Sequence, residues 1–337
     1  MHPWLRLEHR RSRRCRGVKQ RLRTAWRLYN RPGNLFAALA KAAKVLVGGG
    51  PLRLWALTRD KLSTPQLPAS ILGRHDAKET LEFEHRWVLA GQSLPSRSRS
   101  VSVIIPTKGN SERVRACLGS IGMSVLPDAR IDILIVNNGQ PLDIPAGTIP
   151  QVRVRPESSP FNWSAYNNRA VAETTGEYLL FLNDDVAALH GGWLDAMLTE
   201  CNSPTVGVVG AKLVYPNGRI QHIGISLDCG PEGGHEYKFE PRDFAGPSGK
   251  CTRSRPVDAV TGACLLTRRA CFDALGGFDE HFAESYNDVD YCLRARAQGY
   301  TTVVTPHAEL IHWESLTRPL RVLERERRLF RSRWLEG

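Results

Sequence analysis

The octapeptide Tyr178–Asp185, YLLFLNDD, limits the possible folds of this chain more than any other stretch. Its first five residues are apolar or aromatic, which predicts a strand buried on both faces, as in a parallel sheet covered by helices. Asn183, Asp184 and Asp185 follow where that strand ends, and open α/β sheets bind ligands beyond the carboxyl ends of their strands. Neighbouring carboxylates at this place favour a hard divalent cation that also holds a phosphate ligand. A solvated turn explains the same three residues equally well, because Asn and Asp are common turn residues.

The sequence after Ser100 alternates between strand-like and helix-like segments. Strands are predicted at Val101–Ile105, Ile131–Val136, Val152–Val154, Tyr178–Leu182 and Thr301–Pro306, and helices at Ser111–Ile121, Ser164–Thr174, near Gly192, Arg268–Leu275 and from about Leu320. Asn217-Gly218 predicts a hairpin turn, and the Gly- and Pro-rich segment Gly230–Gly249 predicts a mobile loop. This order is typical of an α/β nucleotide-binding sheet with helices on both faces. Neither a G-x-G-x-x-G fingerprint nor a P-loop follows the first strand, which disfavours dehydrogenases and ATPases.

Composition and charge indicate a domain boundary near residue 100. The chain has 337 residues, enough for one large domain with an extension. We predict a basic helical extension over residues 1–62, a linker with a short helix over 63–100, the α/β domain over 101–316 and a charged helix over 317–337. The formal net charge is +12, and 11 of the first 31 residues are Lys or Arg. Such a block attracts anionic lipid, an acidic partner or nucleic acid.

The basic extension predicts contact with a membrane surface rather than insertion. No run of 18 apolar residues occurs in the sequence, so no segment is expected to span a bilayer. Apolar residues from Leu35 to Val47 recur at helical spacing, as in helices that lie in the lipid headgroups, although a helix packed on its own domain fits the pattern too. We therefore expect a cytoplasmic protein, peripheral on the inner face of the cytoplasmic membrane. The eight cysteines lack a C-x-x-C pair and are expected to be buried free thiols.

Eight short motifs follow one another in an order that resembles one enzyme family. They are VSVIIPT, ILIVNNG, FNWSAYNNRAV, YLLFLNDD, VTGACLL, GGFDE, NDVDYCLR and LIHWES, between about Ser100 and Ser315. In this order they resemble glycosyltransferase family 2, the inverting enzymes of the GT-A fold, and especially bacterial members that build O-antigen or other surface polysaccharides, some of them rhamnosyltransferases. The resemblance implies transfer of a hexosyl or deoxyhexosyl group from a UDP-, dTDP- or GDP-linked nucleotide sugar to a hydroxyl of a glycan or lipid-linked acceptor.

The resemblance also implies a metal site. In the family, the last carboxylate of the DXD-like motif binds the cation and a late histidine completes the coordination; these correspond to Asp185 and His312. Asp184 would lie near the ribose, and Asn183 replaces the family's first Asp. The cation would be Mn²⁺ or Mg²⁺, and an imidazole ligand suits manganese better. A strand-end histidine packed beside Trp313 is the alternative interpretation of His312.

A general base is implied at the start of one predicted helix. Asp288 and Asp290 open an apolar-periodic segment, and acidic residues at a helix N-terminus complement its dipole without any catalytic role. The resemblance assigns the base to Asp288, although Asn287 replaces the Glu that usually precedes it in the family. A carboxylate within hydrogen-bond reach of the acceptor hydroxyl can take its proton.

Contacts with the nucleotide sugar are implied at strand ends and on one helix. The resemblance puts the base and ribose among Pro106, Thr107, Lys108 and Asn138, and the sugar beside Thr261 and Gly262. Arg169 can pair with the diphosphate through its planar guanidinium, although a surface arginine on a helix fits equally well. Asn137 departs from the family's usual Asp.

Two other hypotheses stay open. The replacements at Asn137, Asn183 and Asn287 are compatible with a non-catalytic scaffold of the GT-A fold that binds a nucleotide sugar or a partner enzyme. A nucleic-acid-binding protein would depend on the basic residues 1–31. That block lacks the aromatic residues expected of a single-strand platform, so no nucleic-acid partner is expected.

Overall fold

A computed structural model describes residues 99–122, 129–144, 152–230, 232–313 and 322–336. The predicted extension over residues 1–62 and nearly all of the predicted linker over 63–100 lie outside these ranges, so the membrane-surface helix stays a prediction. Among the described residues, no helix combines the length and apolar character needed to cross a membrane.

A ten-stranded sheet organises the described residues. The strands of the fold are β1 (Arg99–Thr107), β2 (Ala129–Asn137), β3 (Val152–Pro156), β4 (Tyr178–Leu182), β5 (Val186–Ala188), β6 (Val206–Val214), β7 (Ile220–His222), β8 (Ile225–Ser226), β9 (Gly234–His235), β10 (Arg255–Pro256), β11 (Cys264–Arg268) and β12 (Thr301–His312). Across the sheet the order is β10-β12-β6-β11-β4-β1-β2-β3, with β5 paired to β12 and β7 to β6, while β8 and β9 pair separately. Strands β3, β2, β1 and β4 are parallel, as are β6 and β12, whereas β11 runs antiparallel between β4 and β6.

Helices cover both faces of this sheet, as the continuous apolar run of β4 predicts. The helices are α1 (Ser111–Gly122), α2 (Trp163–Val171), α3 (Trp193–Glu200), α4 (Arg269–Ala274), α5 (Asn287–Ala297) and α6 (Glu324–Trp334). Successive side chains of a strand point to opposite faces. Leu180 and Leu182 accordingly pack in one hydrophobic cluster with α1 and α3, and Leu179 and Phe181 in another with α2, α4, α5 and α6. The predicted α/β fold is confirmed.

The Gly- and Pro-rich segment after residue 230 contains regular structure that the prediction of a mobile loop missed. Gly234–His235 forms β9 against β8, and Pro247–Gly249 forms a 3₁₀ turn. Backbone bonds of 2.8 Å join Phe239 and Glu240 to Ile220 of β7. These pairings depend on a strand about 20 residues away, so composition alone does not reveal them. The predicted hairpin turn at Asn217-Gly218 is present, with Gly218 at φ +74.

Most of the described cysteines are buried, as expected. All seven are free thiols, and six of them, Cys117, Cys201, Cys251, Cys264, Cys271 and Cys292, are buried. The expectation was wrong for Cys229, which is exposed, because it lies in the turn after β8 rather than in a strand or helix that faces the core.

Asp290 ties the C-terminal helix α6 to helix α5. Its carboxylate, 0% exposed, accepts hydrogen bonds from Arg294 Nε at 2.8 Å, Arg333 Nη1 at 2.7 Å and Trp334 Nε1 at 3.0 Å. Arg294 belongs to α5, whereas Arg333 and Trp334 belong to α6. Since a buried charge is costly unless it is paired and hydrogen-bonded, this carboxylate serves to hold the two helices together.

We expect Asp290→Asn to lower the free energy of unfolding by roughly 3 kcal/mol, because it removes the anionic partner of a buried ion pair whose arginines are partly solvated. Urea denaturation followed by circular dichroism measures this change. The matched control is Glu324→Gln on α6, whose carboxylate is 62% exposed and 3.6 Å from Arg328, and this variant should lose less than about 1 kcal/mol. Equal denaturation midpoints for both variants and the wild type would contradict the assignment.

Candidate active site

The predicted metal ligands meet because two strands pair at the edge of the sheet. Strand β4 ends at Leu182, and Asn183–Asp185 lead directly into β5. Strand β5 runs antiparallel to the end of β12, with His312 opposite Val186. This register brings His312 beside Asp185, with Nε2 of the imidazole 3.1 Å from Oδ1 of the carboxylate.

Gln221 of β7 orients the imidazole of His312. The amide oxygen of Gln221, which is 3% exposed, lies 2.7 Å from Nδ1 of His312. A carbonyl oxygen only accepts, so the hydrogen bond requires the proton on Nδ1. In the neutral ring Nε2 then carries a lone pair toward Asp185, which is the tautomer that binds a metal through Nε2.

The pair formed by Asp185 and His312 fits a divalent cation. Burial raises the pKa of Asp185, but a hydrogen bond and charge from His312 with a proton also on Nε2, together with the charge of Arg113, lower it below its usual value, so the carboxylate is ionised. A divalent cation would take the place of that Nε2 proton. Among the described residues no cluster of three or more His, Cys, Asp or Glu side chains could hold a metal ion. One carboxylate and one oriented imidazole leave room for water and substrate oxygens, as in cation sites that include a substrate phosphate.

Asp184 is held by the strand next to its own. Thr107, the last residue of β1, donates a hydrogen bond of 2.6 Å from Oγ1 to Oδ2 of Asp184. Burial and the charge of Asp185 raise the pKa of Asp184 above its usual value, although the hydrogen bond from Thr107 opposes this rise. The structure thus brings together two of the predicted donor-binding residues, one from each of the parallel strands β1 and β4.

The loops after β1 and β2 touch one another. A Cβ atom at Gly139 would lie 1.9 Å from the carbonyl oxygen of Lys108, so only glycine allows this approach. Pro106 is half-buried within β1, and the ammonium group of Lys108 lies 5.1 Å from the centre of the Phe161 ring. No role was predicted for Gly139, although its place directly after Asn137-Asn138 at a strand end was a usable signal.

Asn138 and Arg169 converge on Glu157 and Ser159 rather than pointing freely to solvent. The amide of Asn138 donates to the backbone oxygens of Glu157 at 2.8 Å and Ser159 at 3.3 Å. The guanidinium of Arg169 pairs with the Glu157 carboxylate at 2.7 Å. Burial opposes the change, but the Ser159 amide and Arg169 bring the pKa of Glu157 down to about 2. The predicted contact of Arg169 with a diphosphate stays a prediction, and it would compete with this ion pair.

Two backbone residues, Gly262 and Ala263, connect Asp288 to the acidic segment that follows β4. Oδ2 of Asp288 accepts a hydrogen bond of 2.7 Å from the Gly262 amide, and Oδ1 accepts one of 2.8 Å from the Val289 amide. The next residue, Ala263, accepts a hydrogen bond of 3.0 Å from the Asn183 amide. The predicted base and the Asn183–Asp185 segment therefore flank the same two residues directly before β11.

The surroundings of Asp288 suit a base. Asp288 as a residue is half-buried, and burial of its carboxylate raises its pKa despite the hydrogen bonds from Gly262 and Val289. A Cβ atom at Gly262 would lie 3.0 Å from the Trp163 ring and 3.5 Å from Cβ of Asp288, so a small residue keeps this approach open. Within the part of the chain that the structure describes, no cation pairs with Asp288 as Arg294 and Arg333 pair with Asp290. A carboxyl with a raised pKa accepts a proton more readily.

The family model described as Glycosyl transferase family 2 matches residues 102–276 of this chain. An uncharacterized protein of Sinorhizobium fredii is 38% identical over 71% of this chain and 26% of its own length. The O-antigen biosynthesis protein RfbC of Myxococcus xanthus is 34% identical over 65% of this chain and 18% of its own length. N-acetylglucosaminyl-diphospho-decaprenol L-rhamnosyltransferase of Mycobacterium tuberculosis is 26% identical over 56% of this chain and 69% of its own length. The chain thus spans about a quarter or less of the first two proteins.

A solved structure supports the GT-A fold. The crystal structure of GalNAc-T7 with UDP, GalNAc and Mn²⁺ matches 64% of this chain and 44% of that chain with a TM-score of 0.50 and 12% sequence identity. At this identity the likeness concerns the fold alone. It agrees with the largely parallel sheet of this chain.

Proposed function

The chain belongs to glycosyl transferase family 2, whose model covers more than half of it, and on this premise we propose that it is a metal-dependent, inverting glycosyltransferase. It moves a hexosyl or deoxyhexosyl group from a nucleotide sugar to a hydroxyl of a lipid-linked glycan acceptor in surface-polysaccharide synthesis. Two relatives support the acceptor class, since one is named for O-antigen biosynthesis and the other for rhamnosyl transfer to a diphospho-decaprenol-linked sugar.

One observation carries this proposal: the segment that holds Asp185 and the carboxylate of Asp288 bind two consecutive residues, Ala263 and Gly262, beyond the carboxyl end of β4. Asp185 and His312 are 3.1 Å apart, and Asp288 is joined to the end of β4 through Gly262 and Ala263. Sugar transfer needs a site that stabilises a leaving diphosphate beside a group that deprotonates the acceptor. The two clusters provide these functions on either side of the two residues that precede β11.

Asp288 performs the proton transfer in this mechanism. Its carboxylate takes the proton of the acceptor hydroxyl while the acceptor oxygen bonds to the anomeric carbon and the bond from that carbon to the diphosphate breaks. The proton ends on Asp288 and the electron pair of the broken bond on the nucleoside diphosphate. Because the acceptor attacks directly, without a covalent sugar intermediate, the anomeric configuration inverts.

The residues after β1 and β4 hold the donor. A divalent cation bound by Asp185 and His312 would offset the negative charge of the leaving diphosphate. Asp184, fixed by Thr107, can accept a hydrogen bond from a ribose hydroxyl. The loops that carry Lys108 and Asn138 are in contact, which forms one wall for the nucleotide base and ribose.

A non-catalytic scaffold is the second candidate, favoured by Asn137, whose amide is committed to the backbone oxygen of Gln140 at 2.9 Å. That contact gives Asn137 a structural role and leaves the base-binding wall without the family's usual carboxylate. A scaffold would bind the nucleotide sugar without turnover.

The proposed enzyme would act at the cytoplasmic face of an anionic membrane, which the basic residues 1–62 would contact.

A panel of UDP-, dTDP- and GDP-sugars tested for Mn²⁺-dependent thermal stabilisation examines the proposal directly. A donor present at 100 times its Kd adds about 2.7 kcal/mol, which raises Tm by roughly 5–10 °C for a domain of this size. Mn²⁺ with the free sugar, and the same nucleotide sugar with EDTA, are the controls. If no donor raises Tm with Mn²⁺ or Mg²⁺, the metal-dependent donor site is wrong; binding without turnover would favour the scaffold.

A further inference from the structure

The C-terminal helix α6 inserts a buried carboxylate into the loop that precedes α5. Glu326, 0% exposed, accepts hydrogen bonds from the Ala283 amide at 3.0 Å and the Ser285 amide at 2.9 Å. The guanidinium of Arg325 lies 3.9 Å away. A buried carboxylate is costly unless its oxygens are satisfied, so both oxygens of Glu326 are committed to the shape of this loop.

The next residue of that loop is strained and is held from two sides. Tyr286 has φ +62, which bulky residues rarely adopt. Its ring stacks on Phe330 of α6, with centroids 4.5 Å apart and planes 12° apart. Its hydroxyl donates a 2.7 Å hydrogen bond to Glu232, which also pairs with Arg327 of α6. Such strain persists only where the surroundings enforce it.

This loop leads directly to the general base of the proposed mechanism. Tyr286 precedes Asn287, the first residue of α5, and Asp288 follows. Ala283 provides a second connection, because its carbonyl accepts a 2.8 Å hydrogen bond from the Trp163 amide. The ring of Trp163 packs against Gly262, whose amide binds the Asp288 carboxylate. The contacts of Glu326 therefore reach Asp288 both along the chain and through α2.

We propose that α6 positions the general base, with Glu326 as the principal positioning residue and Tyr286 as the strained link. The inference rests on the proposed function. It adds a segment to the machinery that the family match does not contain, since that match ends at residue 276, before α5 and α6. Glu326 acts on the orientation of Asp288 and touches neither donor nor cation.

Steady-state kinetics of Glu326→Gln test this role. The substrate is the nucleotide sugar that gives the largest Mn²⁺-dependent rise in Tm, and turnover is measured as hydrolysis of that donor. The amide turns one acceptor oxygen into a donor that faces a backbone N–H. We expect kcat to fall roughly 10–100-fold, as for a reacting group displaced by about 1 Å. The KM for the donor and the Kd for Mn²⁺, measured by electron paramagnetic resonance, should stay within about twofold of wild type, because neither depends on Asp288.

Three further variants separate positioning from stability. Glu324→Gln, the same substitution at an exposed site of the same helix, should leave kcat unchanged. Glu326→Asp keeps two acceptor oxygens and should recover part of the lost kcat. Tyr286→Phe removes the hydroxyl bond to Glu232 but keeps the stack on Phe330, so it should lower kcat several-fold. If Glu326→Gln does not fold, Tyr286→Phe serves as the test variant in its place.

The outcomes distinguish this inference from the proposed function. If the wild type turns over the donor and Glu326→Gln has the same kcat, the positioning role alone is overturned. Where Glu326→Gln does not fold, an unchanged kcat in Tyr286→Phe has the same consequence. A lower Tm with normal kcat measured well below that Tm also overturns it, since Glu326 would then contribute only to stability. If the wild type neither binds a nucleotide sugar with Mn²⁺ nor hydrolyses one, the proposed function fails and the inference fails with it.

Discussion

Asp288→Asn is expected to lower the rate of sugar transfer by roughly 10²–10⁴-fold, the usual contribution of a general base. The amide has nearly the same shape as the carboxylate and can still accept a hydrogen bond from Gly262, but it cannot take a proton. The donor should therefore bind as tightly as it does to the wild type. Turnover measured as nucleoside diphosphate release, with donor binding measured by Mn²⁺-dependent thermal shift, separates the two effects.

The stability of this variant should change by less than about 1 kcal/mol. Burial raises the pKa of Asp288 in the folded protein, so the folded state binds more protons than the unfolded state between the two pKa values. Stability then falls as pH rises through that interval, and at neutral pH the ionised carboxylate destabilises the fold. The amide removes this cost but also loses one acceptor oxygen, and the two effects oppose each other.

Asp290→Asn is the matched control, because it makes the same change two residues later on the same helix. Asp290 is bound by Arg294, Arg333 and Trp334, so this variant should lose stability. Its effect on kcat, measured well below its Tm, should be far smaller than that of Asp288→Asn. Normal turnover in Asp288→Asn would exclude Asp288 as the base, and equal losses of kcat in both variants would point to a shared structural effect.

Asp185→Asn is expected to abolish the Mn²⁺-dependent rise in Tm and to lower turnover by roughly 10²–10⁴-fold. The substitution removes the anionic ligand, and a bound cation contributes several kcal/mol of charge stabilisation in the transition state. An amide oxygen is a poorer ligand, and His312 alone provides one neutral nitrogen. Titration of Mn²⁺ followed by electron paramagnetic resonance, in the presence of the donor, measures the loss of metal affinity independently of turnover.

Two neighbouring substitutions sharpen this test. Asp184→Asn should raise the KM for the donor more than the Kd for Mn²⁺, because we assign Asp184 to the ribose and its carboxylate is held by Thr107. Gln221→Leu should weaken Mn²⁺ binding by about 10–100-fold, since it removes the partner that fixes the tautomer of His312. Retained Mn²⁺ affinity in Asp185→Asn would rule out the metal site, and equal effects of Asp184→Asn and Asp185→Asn would contradict their separate roles.

Strand β4 and the acidic residues after it were predictable from eight residues. A strand buried on both faces needs a continuous apolar run, and the polar residues that end it mark where the chain returns to solvent. The same local signals located the hairpin turn at Asn217-Gly218, strands β1, β2, β3 and β12, and helices α1 to α4. The order of the eight motifs then indicated the family by resemblance, and the family model confirmed it.

The partners of the site residues could not be read in this way. Arg169 satisfied the pattern of a phosphate ligand and of a surface arginine equally well, and the ion pair with Glu157 was found only in the folded protein. Gln221 lies 91 residues before His312, in a short strand that carries no signal for a metal site. Asp288 and Asp290 are chemically alike and lie two residues apart on one helix. Three side-chain donors, two of them arginines, bind Asp290, whereas Asp288 accepts hydrogen bonds from the Gly262 and Val289 amides and from the Thr261 side chain.

Periodicity and turn chemistry act over a few residues, so they dictate which segments become buried strands and where polar side chains emerge at the ends of those strands. Contacts across 26 to 91 residues of chain, such as Gly262 with Asp288 and Gln221 with His312, decide instead which side chains are free for chemistry and which ones stabilise the fold. No short pattern encodes such contacts. They form only when the sheet assembles and α6 packs beside α5, because burial, charge pairing and hydrogen bonding then differ for residues of identical chemistry.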